Sequence, residues 1–359
     1  MNEPQAAASR PAPSEGHSHG TLTRRRFWQL GAATAVTAGV TSLLPEATAE
    51  ASAATSSTAQ HYFDRAAELA GDNPVLKSLV SALTAGYTPP RPAAPAPQRI
   101  FDNVAVLGAG FVSATAILTS AGIILIDALE NPNGAEQHIV GGLRELGADP
   151  STIKYVVVTH GHGDHFGGAQ YLADKYGARV LMSPADWTYM TTTPGPDQPR
   201  HDLDISDGQR LTLGHTTVDL HYTPGHTPGS VSPILPVWDR GRRHTAMLWG
   251  GTNPPAATTD KETYLSSVLT FTSRMRRAGV DVELSNHPFC DYGLERMQEL
   301  RDAPSGPKNP FVVGASGTQR FMKVMENMLR GRIAQDQDAA GTTASATVAA
   351  ANTHTAGCC

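Results

Sequence analysis

Apolar residues recur at helical spacing over residues 60–84, with Phe63, Ala67, Leu69, Val75, Leu76, Leu79 and Leu83 carrying the pattern. Asp72-Asn73-Pro74 interrupts it, so the spacing predicts two helices rather than one. A proline-rich run at 89–97 then predicts an extended linker on the surface. From there the period shortens to runs of β-branched and aliphatic residues. Strands are predicted at 104–107, 113–119 and 122–127, the last two joined as a hairpin through Thr119-Ser120-Ala121-Gly122. A helix at 134–146, a buried strand at 154–158, a helix at 168–176 and a strand at 178–182 follow. Residues 191–203 read as a polar, proline-rich loop on the substrate rim or plain surface. Strands at 209–213, 217–222, 231–236 and 245–249 precede a helix at 261–278, a strand at 282–285 and helices at 294–301 and 317–331. This alternation predicts an α/β protein whose sheets are covered by helices.

The ends of the chain read differently. Thr23-Arg24-Arg25-Arg26-Phe27-Trp28 resembles a twin-arginine export signal, and the apolar stretch after it, 30–44, has the length of a signal core rather than a membrane span. Ala47-Thr48-Ala49 and Ala51-Ser52-Ala53 both fit a small-x-small cleavage site. The expected organisation is therefore a signal peptide at 1–49, a helical extension with its linker at 50–96, a catalytic domain at 97–332 and a disordered Ala/Thr-rich tail at 333–359. The expected partner is the twin-arginine export machinery. The expected location is periplasmic or secreted, without stable membrane insertion after cleavage. A net charge of −5 with no basic stripe argues against a nucleic-acid substrate. Three cysteines, Cys290, Cys358 and Cys359, are too few for a disulfide scaffold.

The densest chemistry lies in Thr159-His160-Gly161-His162-Gly163-Asp164-His165. Three imidazoles and a carboxylate offer nitrogen and oxygen donors suited to zinc, and the glycines let the backbone bend until the donors converge. The strand just before predicts a ligand loop at the carboxyl end of a core strand. Two further histidines sit in turn-like settings: His226 between two Pro-Gly pairs in Thr223-Pro224-Gly225-His226-Thr227-Pro228-Gly229-Ser230, and His287 in Ser285-Asn286-His287-Pro288. Asp127, ending a buried strand, reads either as a support for the metal loop or as a turn residue, and Cys290 as a soft ligand or a small buried residue.

The T-H-x-H-x-D-H run resembles the signature of the metallo-β-lactamase superfamily, and T-P-G-H-T-P-G-S and S-N-H-P resemble its later ligand motifs. The resemblance implies an αββα sandwich of two central β-sheets flanked by helices. It implies two zinc ions, one on His160, His162 and His226 and the other on Asp164, His165 and His287, with Asp164 also catalytic. Where most hydrolases of the glyoxalase type carry a bridging Asp, this chain has Thr252, a departure that resembles subclass B3 of the metallo-β-lactamases. The implied activity is zinc-dependent hydrolysis of a small molecule, the opening of a β-lactam amide by a hydroxide shared between the metals. The alternative is the same site turned on another ester, lactone or amide.

Overall fold

The computed structural model describes residues 46–354, with side chains described over 58–341. The export motif, both candidate cleavage positions' side chains and the Cys358-Cys359 pair lie outside what is described.

Two sheets form the centre. The first runs in chain order, β1 (Gln98–Phe101), β2 (Val104–Gly108), β3 (Ser113–Thr119), β4 (Gly122–Ile126), β5 (Ile153–Val157), β6 (Arg179–Met182) and β7 (Leu203–Asp204). It is antiparallel through β4 and parallel from β4 onward. The second has the order β12 (Val282–Ser285), β11 (Arg242–Trp249), β10 (Val231–Asp239), β9 (Thr216–Tyr222) and β8 (Gln209–Leu213). Its only parallel pair is β11 with β12, which therefore needs a crossover, supplied by the helix Thr258–Ala278.

Burial explains the layering. Ile124, Ile126 and Val157 of the first sheet meet Val218, Leu235 and Leu248 of the second in a core between the sheets. The opposite face of the first sheet, through Ala105, Leu125 and Val156, packs on Ile139, Leu143 and Leu172 of helices. The outer face of the second, through Ile234, Met247 and Trp249, packs on Leu76, Leu79, Phe271, Met325 and Met328. The central strands β2 to β4 are thus buried on both sides and read as apolar runs, whereas β8 alternates buried and exposed positions. The expected αββα sandwich is what forms.

Several elements differ from the sequence expectation. β1 was not expected, because its four residues carry no alternation. The helix expected at 134–146 begins at Pro132 and takes wider turns over Ala135–Val140 before Gly141–Glu145 closes it. Pro184–Thr192, read partly as loop, is a helix capped by the Ser183 side chain, which accepts from the Asp186 amide. The helix expected at 317–331 runs from Ala315 to His354. Its continuation past 332 is held by the buried Ile333 and Ala334, and by Asp336, which sits 2.5 Å from the nearly inaccessible ammonium of Lys261. Ala and Thr are compatible with helix once one face finds a partner, so composition alone misplaces the start of a tail. Helices Glu46–Ala70 and Pro74–Leu83 share that same outer cluster and pack on the helix Ala315–His354, so they are part of one body with the sheets.

Candidate metal centre

All six predicted donors come together at one edge of the sandwich. His160 and His162 leave β5, Asp164 and His165 sit on a single helical turn Gly163–Phe166, His226 lies in the β9–β10 connection, and His287 follows β12. They form two groups, His160/His162/His226 and Asp164/His165/His287. In the first, His226 Nε2 stands 3.1 Å from both His160 Nε2 and His162 Nδ1. In the second, His165 Nε2 lies 3.2 Å from His287 Nε2 and 3.4 Å from Asp164 Oδ2. Donors held about 2.0–2.2 Å from one tetrahedral ion would be spaced roughly 3.3 Å apart, so both groups fit zinc. Cys290 is buried nearby but belongs to neither group.

The remaining ring nitrogens set the tautomers. Nδ1 of His160 meets Gly250 O at 2.6 Å, that of His226 meets Asn253 O at 2.6 Å, and that of His287 meets Phe111 O at 3.1 Å. Each carbonyl requires an N–H at Nδ1, which leaves the Nε2 lone pair facing the centre. His165 is oriented by Asp127, whose carboxylate is 2.7 Å from Nδ1. His162 is reversed. It offers Nδ1, and its Nε2 faces the Tyr189 hydroxyl at 3.3 Å. Asp127 is therefore a support for the metal loop, settling the alternative left open by sequence.

Asp186 is the residue that sequence reading missed. It is wholly buried and accepts from Gly161 N (2.8 Å), Thr227 Oγ1 (2.6 Å) and Gly229 N (2.7 Å). One carboxylate thereby ties the H-x-H-x-D-H loop to the loop carrying His226. Only the segment Ser183-Pro184-Ala185-Asp186, a helix-start pattern, could have drawn attention to it. Ser230 braces the same loop, its Oγ accepting from Thr227 N at 3.1 Å. Gly251 makes room for the ligand itself, since a Cβ there would lie 2.6 Å from the His226 ring.

Electrostatics distinguishes the two groups. Burial pushes His226 down to about 3, with His162 adding to the effect, and burial likewise holds His160 well below its ordinary value. Burial also opposes charge on His165, but Asp164 and Asp127 outweigh it and raise the imidazolium to about 10. Burial, aided by the His165 charge, lowers His287 to about 4. Burial raises Asp164, yet His165 and His287 outweigh this and leave it well below the usual carboxylate range. A cavity of about 220 Å³ opens on both groups and is lined also by Thr252 and Asn253. A larger one, about 500 Å³, lies between the starts of helices Pro74–Leu83 and Ala315–His354 and has no histidine or cysteine in its lining.

With this geometry established, likeness to known proteins becomes informative. Residues 107–237 match the family model of the metallo-beta-lactamase superfamily. Those residues carry a metallo-beta-lactamase superfamily domain. Among solved structures, a mutant of the metallo-beta-lactamase from Legionella gormanii superposes with a TM-score of 0.61 at 24% identity, over 69% of this chain and 98% of that one. BJP-1, a subclass B3 metallo-beta-lactamase of Bradyrhizobium japonicum, gives 0.55 at 24%, over 70% and 97%. These two likenesses concern the fold. An uncharacterized protein of Mycobacterium leprae is 37% identical over 112 residues, 26% of this chain and 51% of that protein. A hydroxyacylglutathione hydrolase of Anaeromyxobacter dehalogenans is 32% identical over 146 residues, 40% of this chain and 50% of its own. The chain thus spans about half the length of these curated relatives.

Two outcomes follow from the geometry of the two donor groups. Asp186→Asn puts an amide where three donors converge; zinc affinity at the His226 group should fall roughly 10- to 100-fold, measured by competition with a chromophoric chelator. The second outcome concerns protons. His226 and His160 are already neutral at pH 7, so filling the first group releases no proton there. His165 holds a proton below about 10, and a metal must displace it, so affinity of the second group should rise with pH up to that value. Calorimetry at about pH 6, below the range in which a zinc-bound water ionises, in buffers of different ionisation enthalpy should find close to one proton released with the second equivalent of zinc and close to none with the first.

Proposed function

We propose that this protein is an exported two-zinc hydrolase that opens the amide of a β-lactam. The observation that carries the proposal is the pair of donor groups sharing one cavity with Thr252 in its wall. A hydroxyl there, in place of a bridging acid, is the arrangement the subclass B3 resemblance implies. His160, His162 and His226 would hold one ion, and Asp164, His165 and His287 the other. When bound, the ions supply Lewis acidity and lower the pKa of water to near neutrality.

The side chains supply the rest. Asp164 lines the cavity with its side chain 23% exposed, placed to orient an attacking water and accept its proton. Asp127 fixes the ring of His165, and the carbonyls of Gly250, Asn253 and Phe111 fix three others, so the donors need no rearrangement as charge develops on the substrate. Thr252 brings no charge to the cavity wall, which suits a departing amide nitrogen that gathers negative charge. A second reading, hydrolysis of an ester, thioester or lactone at the same centre, draws its support from the likeness to hydroxyacylglutathione hydrolases. Export rests on the paired arginines at 24 and 25 and the apolar stretch behind them.

Zinc-loaded protein assayed on penicillin, cephalosporin and carbapenem panels beside thioesters and lactones decides between the readings; turnover confined to the second set removes the β-lactam assignment. Asp164→Asn should lower kcat by about 10²-fold or more on whichever substrate is turned over, with a much smaller change in KM. For export, Arg24→Lys with Arg25→Lys should retain the uncleaved chain in the producing cell, read by fractionation and blotting; normal export of that variant removes the twin-arginine route.

A further inference from the structure

Away from the metal centre, the cavity of about 500 Å³ between the starts of helices Pro74–Leu83 and Ala315–His354 has the size of a small-molecule site, for which roughly 300–1,000 Å³ is usual. None of the residues lining it falls within 107–237, the stretch that carries the superfamily domain. Three segments form its walls: residues 73–76, the stretch from β12 into the helix Gly293–Asp302, and residues 308–321.

Those walls are held in place without a ligand. The Asn73 side chain accepts from Leu76 N at 3.1 Å and caps the first helix. Asn309 flanks Pro310 and is fixed twice, donating to Ile100 O at 2.6 Å and accepting from Phe311 N at 3.0 Å. Thr318 Oγ1 donates to Val280 O at 2.9 Å. Tyr292 lines the cavity with a left-handed backbone, φ +58°, and its side chain is one of two large apolar ones left exposed among the described residues. A bulky residue persists in that region only where its surroundings impose it, a situation that gathers at ligand clamps.

The floor is polar and dry. Glu283 and Arg296 both line the cavity and are 1% and 2% exposed. Arg296 Nη2 donates to Glu283 Oε2 at 3.0 Å and to Asp291. Arg296 Nε and Glu283 Oε1 have no hydrogen-bond partner. A buried polar atom without a partner is costly, and a ligand atom that pairs with it removes the cost. Burial raises the Glu283 carboxyl against the pull of Arg296, and Asp291 adds to the rise. Its O–H form is thereby favoured, so the floor presents donors rather than net negative charge.

The rim carries charge that the protein leaves unused. Lys308, Arg320 and Glu299 line the cavity, are exposed, and make no side-chain ion pair or hydrogen bond among the described residues. Two cations therefore face one carboxylate across the mouth. The rest of the wall is apolar, through Val75, Leu76 and Phe321. Cations and floor donors suit a carboxylate, and the apolar wall suits a hydrocarbon body beside it.

We propose that this cavity is a second small-molecule site, separate from the metal centre, which binds a monocarboxylate with an apolar body. Lys308 and Arg320 take the carboxylate, and Val75, Leu76 and Phe321 take the body. The site stands whether or not the hydrolase reading holds.

Calorimetry of the zinc-loaded full chain with 3-phenylpropionate tests it. The acid should bind about tenfold or more tightly than the uncharged 3-phenylpropionamide, which lacks the ionic contacts, and than propionate, which lacks the ring. Arg320→Gln with Lys308→Gln should weaken the acid about tenfold and leave the amide unchanged. Ser316→Trp, which fills the cavity from an exposed position, should abolish binding of the acid. Stripping the zinc with a chelator should leave its affinity unaltered. L-Phenylalanine separates two sources of the same chemistry: tighter binding than the plain acid, lost in Glu299→Gln, marks an amino acid, and weaker binding a simple acid; either upholds the site. Failure of 3-phenylpropionate to bind, equal binding of acid and amide, affinity that survives Ser316→Trp, or affinity that vanishes with the zinc overturns it.

Discussion

The buried carboxylate of Asp127 holds this structure's working edge together. It sits at the end of β4 with a left-handed backbone, φ +65°, which turns its side chain under the metal loop. Its oxygens accept from Thr159 N at 2.7 Å, Thr159 Oγ1 at 3.0 Å, His165 Nδ1 at 2.7 Å and Asn286 Nδ2 at 3.1 Å. Those donors come from three separate segments: the exit of β5, the helical turn Gly163–Phe166, and the exit of β12. A buried carboxylate with no such donors would be strongly unfavourable, so the segments are bound to it as much as it is to them. This group, with the His160–Gly250 and Val231–Thr159 hydrogen bonds, joins the first sheet to the second at the site.

Asp186 does for the first donor group what Asp127 does for the second. Burial pushes its carboxyl upward, against hydrogen bonds from Thr227, Gly161 and Gly229 that favour the charged form. The two aspartates give the centre a rigid second layer before any ion arrives. Five imidazoles crowded into one pocket would otherwise open apart, because buried neutral rings with facing lone pairs gain nothing from proximity. In the metal-free state the proton on His165 bridges toward His287 and Asp164 and takes up part of that role for the second group. The first group has no equivalent, since His226 Nε2 faces two acceptors at once and burial keeps all three rings neutral.

The N-terminal helices and the proline-rich segment are part of the site as well as of the core. Leu76, Leu79 and Leu83 bury against the helix Ala315–His354 and the outer face of the second sheet, which anchors the segment that follows. That segment then crosses the cavity and delivers Tyr87 and Pro89 to its wall. Part of the cavity wall therefore comes from a stretch of chain that supplies none of the six donors.

Sequence alone pointed to the six side chains that the fold gathers, because a metal site needs specific side-chain chemistry at short spacing, and H-x-H-x-D-H, the Pro-Gly-flanked His226 and the strand-ending His287 carry that chemistry openly. It determined most strands too, since burial on both faces writes an apolar run into those such as β4, and burial on one face an alternation into β8. It did not disclose Asp186, an aspartate in an ordinary helix-capping context whose partners lie 25 and 43 residues away. Nor did it disclose that Tyr87, Phe111 and Phe289 meet, or that the final helix continues past residue 332. Those features depend on which surfaces the tertiary fold brings opposite one another. Local patterning encodes a residue's own conformation and chemistry, whereas a neighbour contributed by a distant segment leaves no mark at the position it touches.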